Sequence, residues 1–400
     1  MRAVVLGGGG LTGRGAVRHL ATDGVFDEVV AADVDLELAR AAAGAAGTRA
    51  RALPLDVRDR RGTAELLRGA AVVVNATPYA FNLEAMDAAL AAHVPYLDFG
   101  GLFHMTRRQL ELDRTFRAAH LLAIPGMGQV PGVSNVLAVA AAEPFDQLDA
   151  IVLRDGWRDL ATGGPELSFT WSPATFLDEM VRPAVVFEDG EYREHPPMSG
   201  AEEYAFAEPV GRTKVYRTLH SEPATLPESL RGKGLRHCEW KEGGPGIELL
   251  RLLGQLGLGS EKPLDVHGVS VVPREFVVAL LRRENLLGPP PEAVVDDWEV
   301  LDIELRGTVD GRPSVRHAVA RFPPWPAWHL SATEYAVGTV GAIGAEMIAR
   351  GEIVGEGVVP PERCVPAPAL RRELERRGIR TALVPPEEPL PEHFPKKGAG

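Results

Sequence analysis

A chain of 400 residues with 45% hydrophobic content carries apolar material for more than one core, which predicts roughly two domains of ordinary size and excludes a small stapled scaffold. Lys plus Arg number 43 against 55 Asp plus Glu, a formal charge of −12. That is the wrong sign for tracking phosphates or anionic lipid, so neither nucleic acid nor a membrane is expected as a partner. The two cysteines, Cys238 and Cys364, allow no disulfide framework or cysteine zinc site, and no apolar run reaches the ~18 residues of a spanning helix. With no cleavable leader pattern after Met1, a cytoplasmic protein without a bound metal is expected.

In chain order, the first 130 residues alternate short β-branched runs with helical spacing. Strands are expected at Ala3 to Leu6, Val29 to Ala32, Ala52 to Leu55, Ala71 to Asn75, Tyr96 to Phe99 and Leu121 to Ile124. Helical stretches between them include Leu83, Met86 and Leu90 behind a cap at Asn82, and Leu112, Phe116 and Ala119 behind a capping box Thr106-x-x-Gln109. The alternation predicts an α/β fold with a doubly wound, Rossmann-type parallel sheet. From about Ala150 longer alternating strands follow, such as Leu167 to Trp171 and Trp298 to Val309, with hairpin signals at Asp189-Gly190 and Asp310-Gly311. Helical patterns at Gly246 to Leu256 and Pro273 to Leu287 complete a second, α+β mixed-sheet domain. Ser331 to Arg350 reads as a long helix stopped by Gly351, small along Ala336, Gly338, Gly341 and Gly344 and so suited to close packing. The expected boundaries are 1–128 for dinucleotide binding, 129–330 for substrate binding and dimerisation, 331–383 for a return helix and loop completing the first domain, and 384–400 for a flexible tail.

Gly8, Gly10 and Gly13 satisfy G-x-G-x-x-G directly between a strand and a helix, with Leu11 and Thr12 opening that helix. Asp33 stands 20 residues beyond Gly13, where a carboxylate accepts hydrogen bonds from the adenosine ribose. A 2′-phosphate calls for a nearby cation, yet Asp35 and Glu37 add negative charge here; NAD is expected ahead of NADP. Ligands of doubly wound sheets lie beyond the carboxyl ends of the strands. On that ground Asp56, Asn75, Ala76 and Thr77 are assigned to the coenzyme, and Tyr79, Gly128, Pro131 and Gly132 to the substrate. The Gly126 to Gly132 loop is expected to offer backbone N–H groups, with Pro131 opening a helix, to a substrate carboxylate. Asp98 is the expected base, because burial at a strand end raises a carboxyl pKa toward neutrality, with His104 as the alternative. Arg217, His220 and Lys241 read as solvated or structural, and Cys238 as a packed thiol.

The combination of Gly8-x-Gly10-x-x-Gly13, Asp33, Val74-Asn75-Ala76, Leu97 to Gly101 and Gly128 to Asn135, with Ser331 to Ile343 and Gly357 to Glu362 near the end, resembles the saccharopine dehydrogenase family, most closely its lysine 6-dehydrogenase branch. The resemblance spans nearly the whole chain. It implies a split NAD(P)-binding domain completed by the C-terminal helix, a central mixed-sheet domain that forms a homodimer, and oxidation or formation of a C–N bond at an amino acid or related amine. One stretch departs from the family pattern: Cys238 to Gly246 contains no Arg to clamp a carboxylate, leaving Lys241 as the substitute. Hydride transfer giving an imine is the expected reaction, in either direction. The alternative is a non-catalytic dinucleotide-binding regulatory or scaffold dimer.

Overall fold

The computed structural model describes residues 1–161, 169–290 and 292–384. The first half of the chain runs β1 (Arg2–Leu6), α1 (Leu11–Thr22), β2 (Glu28–Asp33), α2 (Leu36–Ala46), β3 (Ala50–Pro54), α3 (Arg60–Leu67), β4 (Val72–Asn75), α4 (Asn82–Ala92), β5 (Tyr96–Asp98), α5 (Leu102–Leu110), α6 (Asp113–Ala118), β6 (Leu122–Ile124) and α7 (Val133–Ala142). The central part holds β7 (Gln147–Asp159), α8 (Pro173–Val181), β8 (Ala184–Glu188), β9 (Glu191–His195), β10 (Ser199–Ala205), β11 (Arg212–Arg217), α9 (Leu226–Ser229), β12 (His237–Gly243), α10 (Ile247–Gln255), β13 (Leu264–Val266), β14 (Val269–Val271), α11 (Pro273–Arg283), β15 (Asp297–Val309) and β16 (Arg312–Phe322). The chain closes with α12 (Ala332–Ala349), β17 (Gly357–Val358), α13 (Pro361–Cys364), α14 (Ala367–Arg376) and β18 (Arg380–Val384).

Valine- and alanine-rich strands buried on both faces form a parallel sheet in the order β17-β6-β5-β4-β1-β2-β3. The order reverses between β1 and β4, and that switch point places the ligand crevice at the carboxyl ends of those strands. The second sheet runs β10-β11-β12-β7-β15-β16-β18, with the β8–β9 hairpin attached to β12. It is mixed because β12 and β7 run parallel while its other pairs are antiparallel. Asp189-Gly190 and Asp310-Gly311 close hairpins with positive φ at both central residues (52° and 89°; 50° and 70°), the geometry that matches strand twist.

Ser331 caps α12 by accepting from Glu334 N–H, and Glu334 reaches back in a capping box. The small stripe brings α12 into contact with the first domain: a Cβ on Gly338 would lie 2.6 Å from Ala16 N, on Gly341 2.2 Å from Phe99, and on Gly344 2.7 Å from Met127. One apolar core joins α1, α7, α12 and the face of the central sheet bearing Ile151, Leu153, Leu301 and Ile303.

Several expected details differ. Residues 167 and 168 lie outside the described residues, and Phe169 makes only an isolated bridge to Leu287, so Leu167 to Trp171 is not a strand where described. Thr106 and Gln109 sit inside α5, and Asn82 is the first residue of α4 with its side chain turned into the core; neither caps a helix. Pro131 lies outside α7, in a cis peptide with Val130. The return segment serves both sheets: β17 pairs with β6, and β18 pairs with β16, so Val384 is a strand residue. Residues 385–400 lie outside the described residues.

Candidate active site

The glycine loop meets the requirements of a dinucleotide cradle. A Cβ on Gly8 would fall 2.8 Å from Ala31 Cα, on Gly9 2.7 Å from Ala39 N and on Gly13 2.1 Å from Gly7 O, so no side chain larger than hydrogen fits. Gly10 is the N-cap of α1 and gives no side-chain cap, so the first-turn N–H groups of Leu11, Thr12 and Gly13 have no side chain competing for them. The Asp33 carboxylate accepts from Gly9 N–H at 3.0 Å and from Asp35 N–H at 3.0 Å, which holds it over the loop with a lone pair left on each oxygen. Asp56 lies beyond β3, half-buried and paired with Arg58 at 2.6 Å.

The residues after β4 and β5 form a buried polar network. Asn75 donates to Asn82 Oδ1 (2.9 Å) and Tyr96 Oη (3.1 Å), while its Oδ1 accepts from Thr77 Oγ1 (2.7 Å) and steers the Ala76-Thr77 turn. Asp98 is wholly buried and accepts four hydrogen bonds: Gly100 N–H and Gly126 N–H at 2.8 Å each on Oδ1, Tyr96 Oη at 2.8 Å and Gln109 Nε2 at 2.5 Å on Oδ2. Burial pushes its pKa up while those donors pull it back, and the balance remains raised. A carboxylate with both oxygens so engaged ties the β5 and β6 loops together. The burial and raised pKa of Asp98 agree with the expectation for a base, while the four donors engage both oxygens in bracing the loops. His104, the alternative, is exposed on α5 with its ring edge-on to Phe103.

The loop after β6 is equally self-satisfied. Gly128 N–H donates to Pro131 O at 2.9 Å and Gly132 N–H to Asn135 Oδ1 at 3.1 Å, so these amides are spent inside the protein and do not form the expected carboxylate nest. Pro131 instead packs on Gly100 and Gly126, where a Cβ would come within 2.8 and 2.9 Å of its ring. Tyr79 reaches the central domain, donating to Asp178 Oδ2 at 2.7 Å.

The densest chemistry lies opposite these loops. Across β12, β7 and β15, Leu153 stands between Trp240 and Ile303, Asp155 between Glu242 and Leu301, and Glu299 pairs with Trp157. Side chains alternate across a strand, so the apolar face turned to the nucleotide domain becomes acidic at one end, through Asp155, Glu242 and Glu299. Glu179 of α8 and Glu222, in a short turn after β11, join them; all five are buried. Their contacts reach the strand-end loops: Ser134 donates to Glu222 at 2.7 Å, Gln129 and Thr333 donate to Glu299, and Thr218 donates to Glu242 at 2.5 Å. A Cβ on Gly100 would lie 3.7 Å from Ser221 Oγ, and one on Gly288 would lie 3.1 Å from Leu11. The acidic end therefore closes over the coenzyme crevice.

His220 stands among these acids, stacked on Trp240 at 4.0 Å, with Nδ1 bonded to Glu222 and Nε2 3.8 Å from Glu179. Burial lowers its pKa, but the charge and hydrogen bond of Glu222, with Glu242, more than offset that and leave it raised. Burial first, and then the charges of Glu299, Glu242 and Glu222 for Asp155 and of Glu242, Glu222 and Asp178 for Glu179, push both well above the usual carboxylate range. Among the described residues His220 is the one cation ion-paired with these five acids.

Lys241 is on the other face of β12, bonded to Glu202 at 2.7 Å beside Arg154, and points away from the crevice; its expected substrate contact is corrected on that ground. The sequence alone reads His220 as solvated or structural and singles out none of the five acids. The available signal was period two: Ile151-x-Leu153-x-Asp155 and Cys238-x-Trp240-x-Glu242 each end an inward apolar row in an acid. No local pattern marks His220 or Glu222.

Fold and crevice together define an NAD(P)-binding oxidoreductase. Residues 3–124 match the saccharopine dehydrogenase NADP binding domain and residues 128–379 the saccharopine dehydrogenase C-terminal domain. The chain belongs to the saccharopine dehydrogenase family. It is 24% identical over 392 residues to carboxyaminopropylagmatine dehydrogenase of a Synechocystis strain, covering 93% of this chain and 94% of that protein. To carboxynorspermidine synthase of Vibrio alginolyticus it is 26% identical over 321 residues, 75% of this chain and 74% of that one. In structure it resembles saccharopine dehydrogenase (L-Glu forming) from Saccharomyces cerevisiae, with a TM-score of 0.72 at 18% identity over 96% and 99% of the two chains. No helix among the described residues is long and apolar enough to cross a membrane.

Proposed function

We propose that the protein oxidises or forms a C–N bond between an amine nitrogen and the carbon of an amino-acid-like partner, with His220 as the proton-transfer group. The observation that carries this reading is the buried Glu222–His220 pair, which holds Nδ1 of the imidazole and leaves Nε2 without a hydrogen bond, 3.8 Å from Glu179, where the acidic end of the central sheet meets the carboxyl ends of the parallel strands. The dinucleotide supplies hydride exchange at its nicotinamide ring. Leu11 to Gly13 would hold the pyrophosphate through backbone N–H groups, Asp33 would take the ribose hydroxyls and select NAD over NADP, and Asn75 steers the Ala76-Thr77 turn at the end of β4. His220 Nε2 holds or releases the amine proton, and Glu222 fixes the tautomer and stabilises the imidazolium. The relatives' names, carboxynorspermidine synthase and carboxyaminopropylagmatine dehydrogenase, support an amine substrate, with lysine as one member of the class.

The test follows absorbance of NADH and NADPH with a panel of amino-acid semialdehydes paired with lysine, 1,3-diaminopropane or agmatine, and in reverse with saccharopine and carboxylated polyamines. Turnover on any pair supports the reading. Tight dinucleotide binding with no turnover across the panel refutes it in favour of a non-catalytic binding module.

A further inference from the structure

We propose that Tyr79 is a positioning residue: by bonding Asp178 across the domain boundary, it holds the turn that follows β4 at a fixed place relative to His220. The inference rests on the reading of His220 as the proton-transfer group, and it gives Tyr79 a role other than the substrate contact expected from the sequence.

The reacting parts are divided between two bodies. The glycine loop, Asp33 and Asn75 belong to the first domain, whereas His220 and Glu222 stand in the connection after β11 in the central domain. Proton and hydride transfer lose rate steeply with a misplacement near 1 Å, so the two bodies must be held in register. Among the described residues, Tyr79 Oη to Asp178 Oδ2 at 2.7 Å is the one side-chain hydrogen bond from the loops after β4 and β5 to the central domain.

Both ends of that bond are anchored. Tyr79 stands two residues beyond Thr77, whose hydroxyl donates to Asn75 at 2.7 Å. Asp178 is buried, and its Oδ1 accepts from Arg182 Nε and Arg274 Nη2 at 2.6 Å each, while Arg274 Nε donates to Gly259 O at 3.0 Å. A carboxylate held by two cations is a rigid post, and a hydroxyl that donates to an ionised acceptor makes a short, strong contact. Burial, then the hydrogen bond and charge of Asp178, raise the Tyr79 pKa, so the phenol keeps the proton it donates.

From this post the structure reaches the imidazole by two routes. Glu179, the next residue, accepts Leu219 N–H on its main-chain oxygen at 3.3 Å, and its carboxylate lies 3.8 Å from His220 Nε2. The Tyr79 ring packs against a small apolar cluster that includes Leu219 and Ala224, one on each side of His220-Ser221-Glu222. Tyr79 therefore meets the coenzyme turn at one end and the frame of His220 at the other.

Tyr79→Phe deletes the bond and keeps the ring. The first readout is the titration of His220 in the NAD-free protein, followed by NMR of labelled histidine and assigned by the signal lost in His220→Asn. The imidazole faces Glu222 on Nδ1, Glu179 near Nε2, Glu242 and the stacked Trp240, and the charges of Glu222 and Glu242 raise its pKa. With its frame loosened it keeps those charges less closely, so the midpoint is expected to fall by at least about 0.5 pH units. The second readout is turnover on any active pair: kcat is expected to fall about 10- to 100-fold, with KM for the dinucleotide within threefold of the parent. Tyr192→Phe removes a hydroxyl at the same boundary, where its ring meets Phe103 at 5.1 Å, and is expected to change neither readout. An unchanged His220 midpoint in Tyr79→Phe overturns the proposal whatever the rate, as does an equal shift in Tyr192→Phe, or a kcat within threefold of the parent while His220→Asn is inactive. A shifted midpoint in Tyr79→Phe beside full turnover in His220→Asn overturns the proton-transfer reading alone, and if no pair turns over the midpoint decides by itself.

Discussion

Replacing Asp98 with Asn separates a positioning carboxylate from a reacting one. The substitution keeps the shape and exchanges one oxygen for an NH2 group among four donors. The Oδ1 side faces two backbone N–H groups, from Gly100 and Gly126, which cannot turn away, so the amide oxygen must remain there. The NH2 then faces Tyr96 Oη and Gln109 Nε2. The tyrosine hydroxyl can rotate to accept, and Gln109 can flip its amide to present oxygen, but the flip gives up its contact with Met86 and turns NH2 toward the Asn82 amide. One buried polar group thus stays poorly satisfied, at a cost of ~1–3 kcal/mol. The expected result is a urea midpoint lowered by that amount, NAD affinity within threefold of the parent, and a turnover loss of no more than about tenfold through the loosened β5 and β6 loops. A group that itself moves the proton behaves differently: its loss lowers the rate by about 10²- to 10⁴-fold. A drop of that size with an unchanged urea midpoint refutes the positioning role and restores Asp98 as the base.

His220→Asn is expected to lower turnover by about 10²- to 10⁴-fold while leaving NAD affinity intact, and to remove the limb of the pH–rate profile that reports the imidazole; a variant with near-parent rate and profile contradicts the assignment. Asp33 with Asp35 and Glu37 nearby predicts NAD binding about 10- to 100-fold tighter than NADP at ~1.4 kcal/mol per decade, and Asp33→Ser should narrow that ratio in fluorescence titrations. Because the folded pKa of Asp155 is raised above its unfolded value, chiefly by burial and then by Glu299, Glu242 and Glu222, the folded state binds the extra proton. Its contribution to stability is present at acid pH and is lost as pH rises through the folded pKa. Asp155→Asn should therefore melt higher than the parent at pH 8, with the difference closing toward pH 5, and a difference that grows on acidification contradicts the linkage. Leu249 and Leu252 on α10, Leu256 just beyond it and Phe276 on α11 are exposed, and sedimentation at micromolar concentration is expected to show a homodimer formed through the 129–330 domain; a stable monomer refutes it.

The sequence by itself determined what depends on neighbours in the chain. The glycine loop, Asp33, the α/β rhythm, the Asp-Gly hairpins and the small-faced helix at Ser331 to Arg350 are local patterns with a single structural solution, and the structure realises each of them. The sequence pattern puts the residues after β5 and β6 at the correct sheet edge, but their roles are not legible in it, because whether Asp98 reacts or braces depends on Tyr96, Gln109 and Gly126 converging on it from three elements. Lys241 and Glu242 are adjacent in sequence yet face opposite sides of the sheet, and only strand register decides which one meets the crevice. The acidic chamber is the extreme case. Its five carboxylates come from positions 155 to 299, on three strands, a helix and a turn, so no window of sequence contains the charge density that defines it. Tertiary structure decided it, because electrostatic energy depends on distance through space, and the fold brings those distances down only after the two sheets have packed.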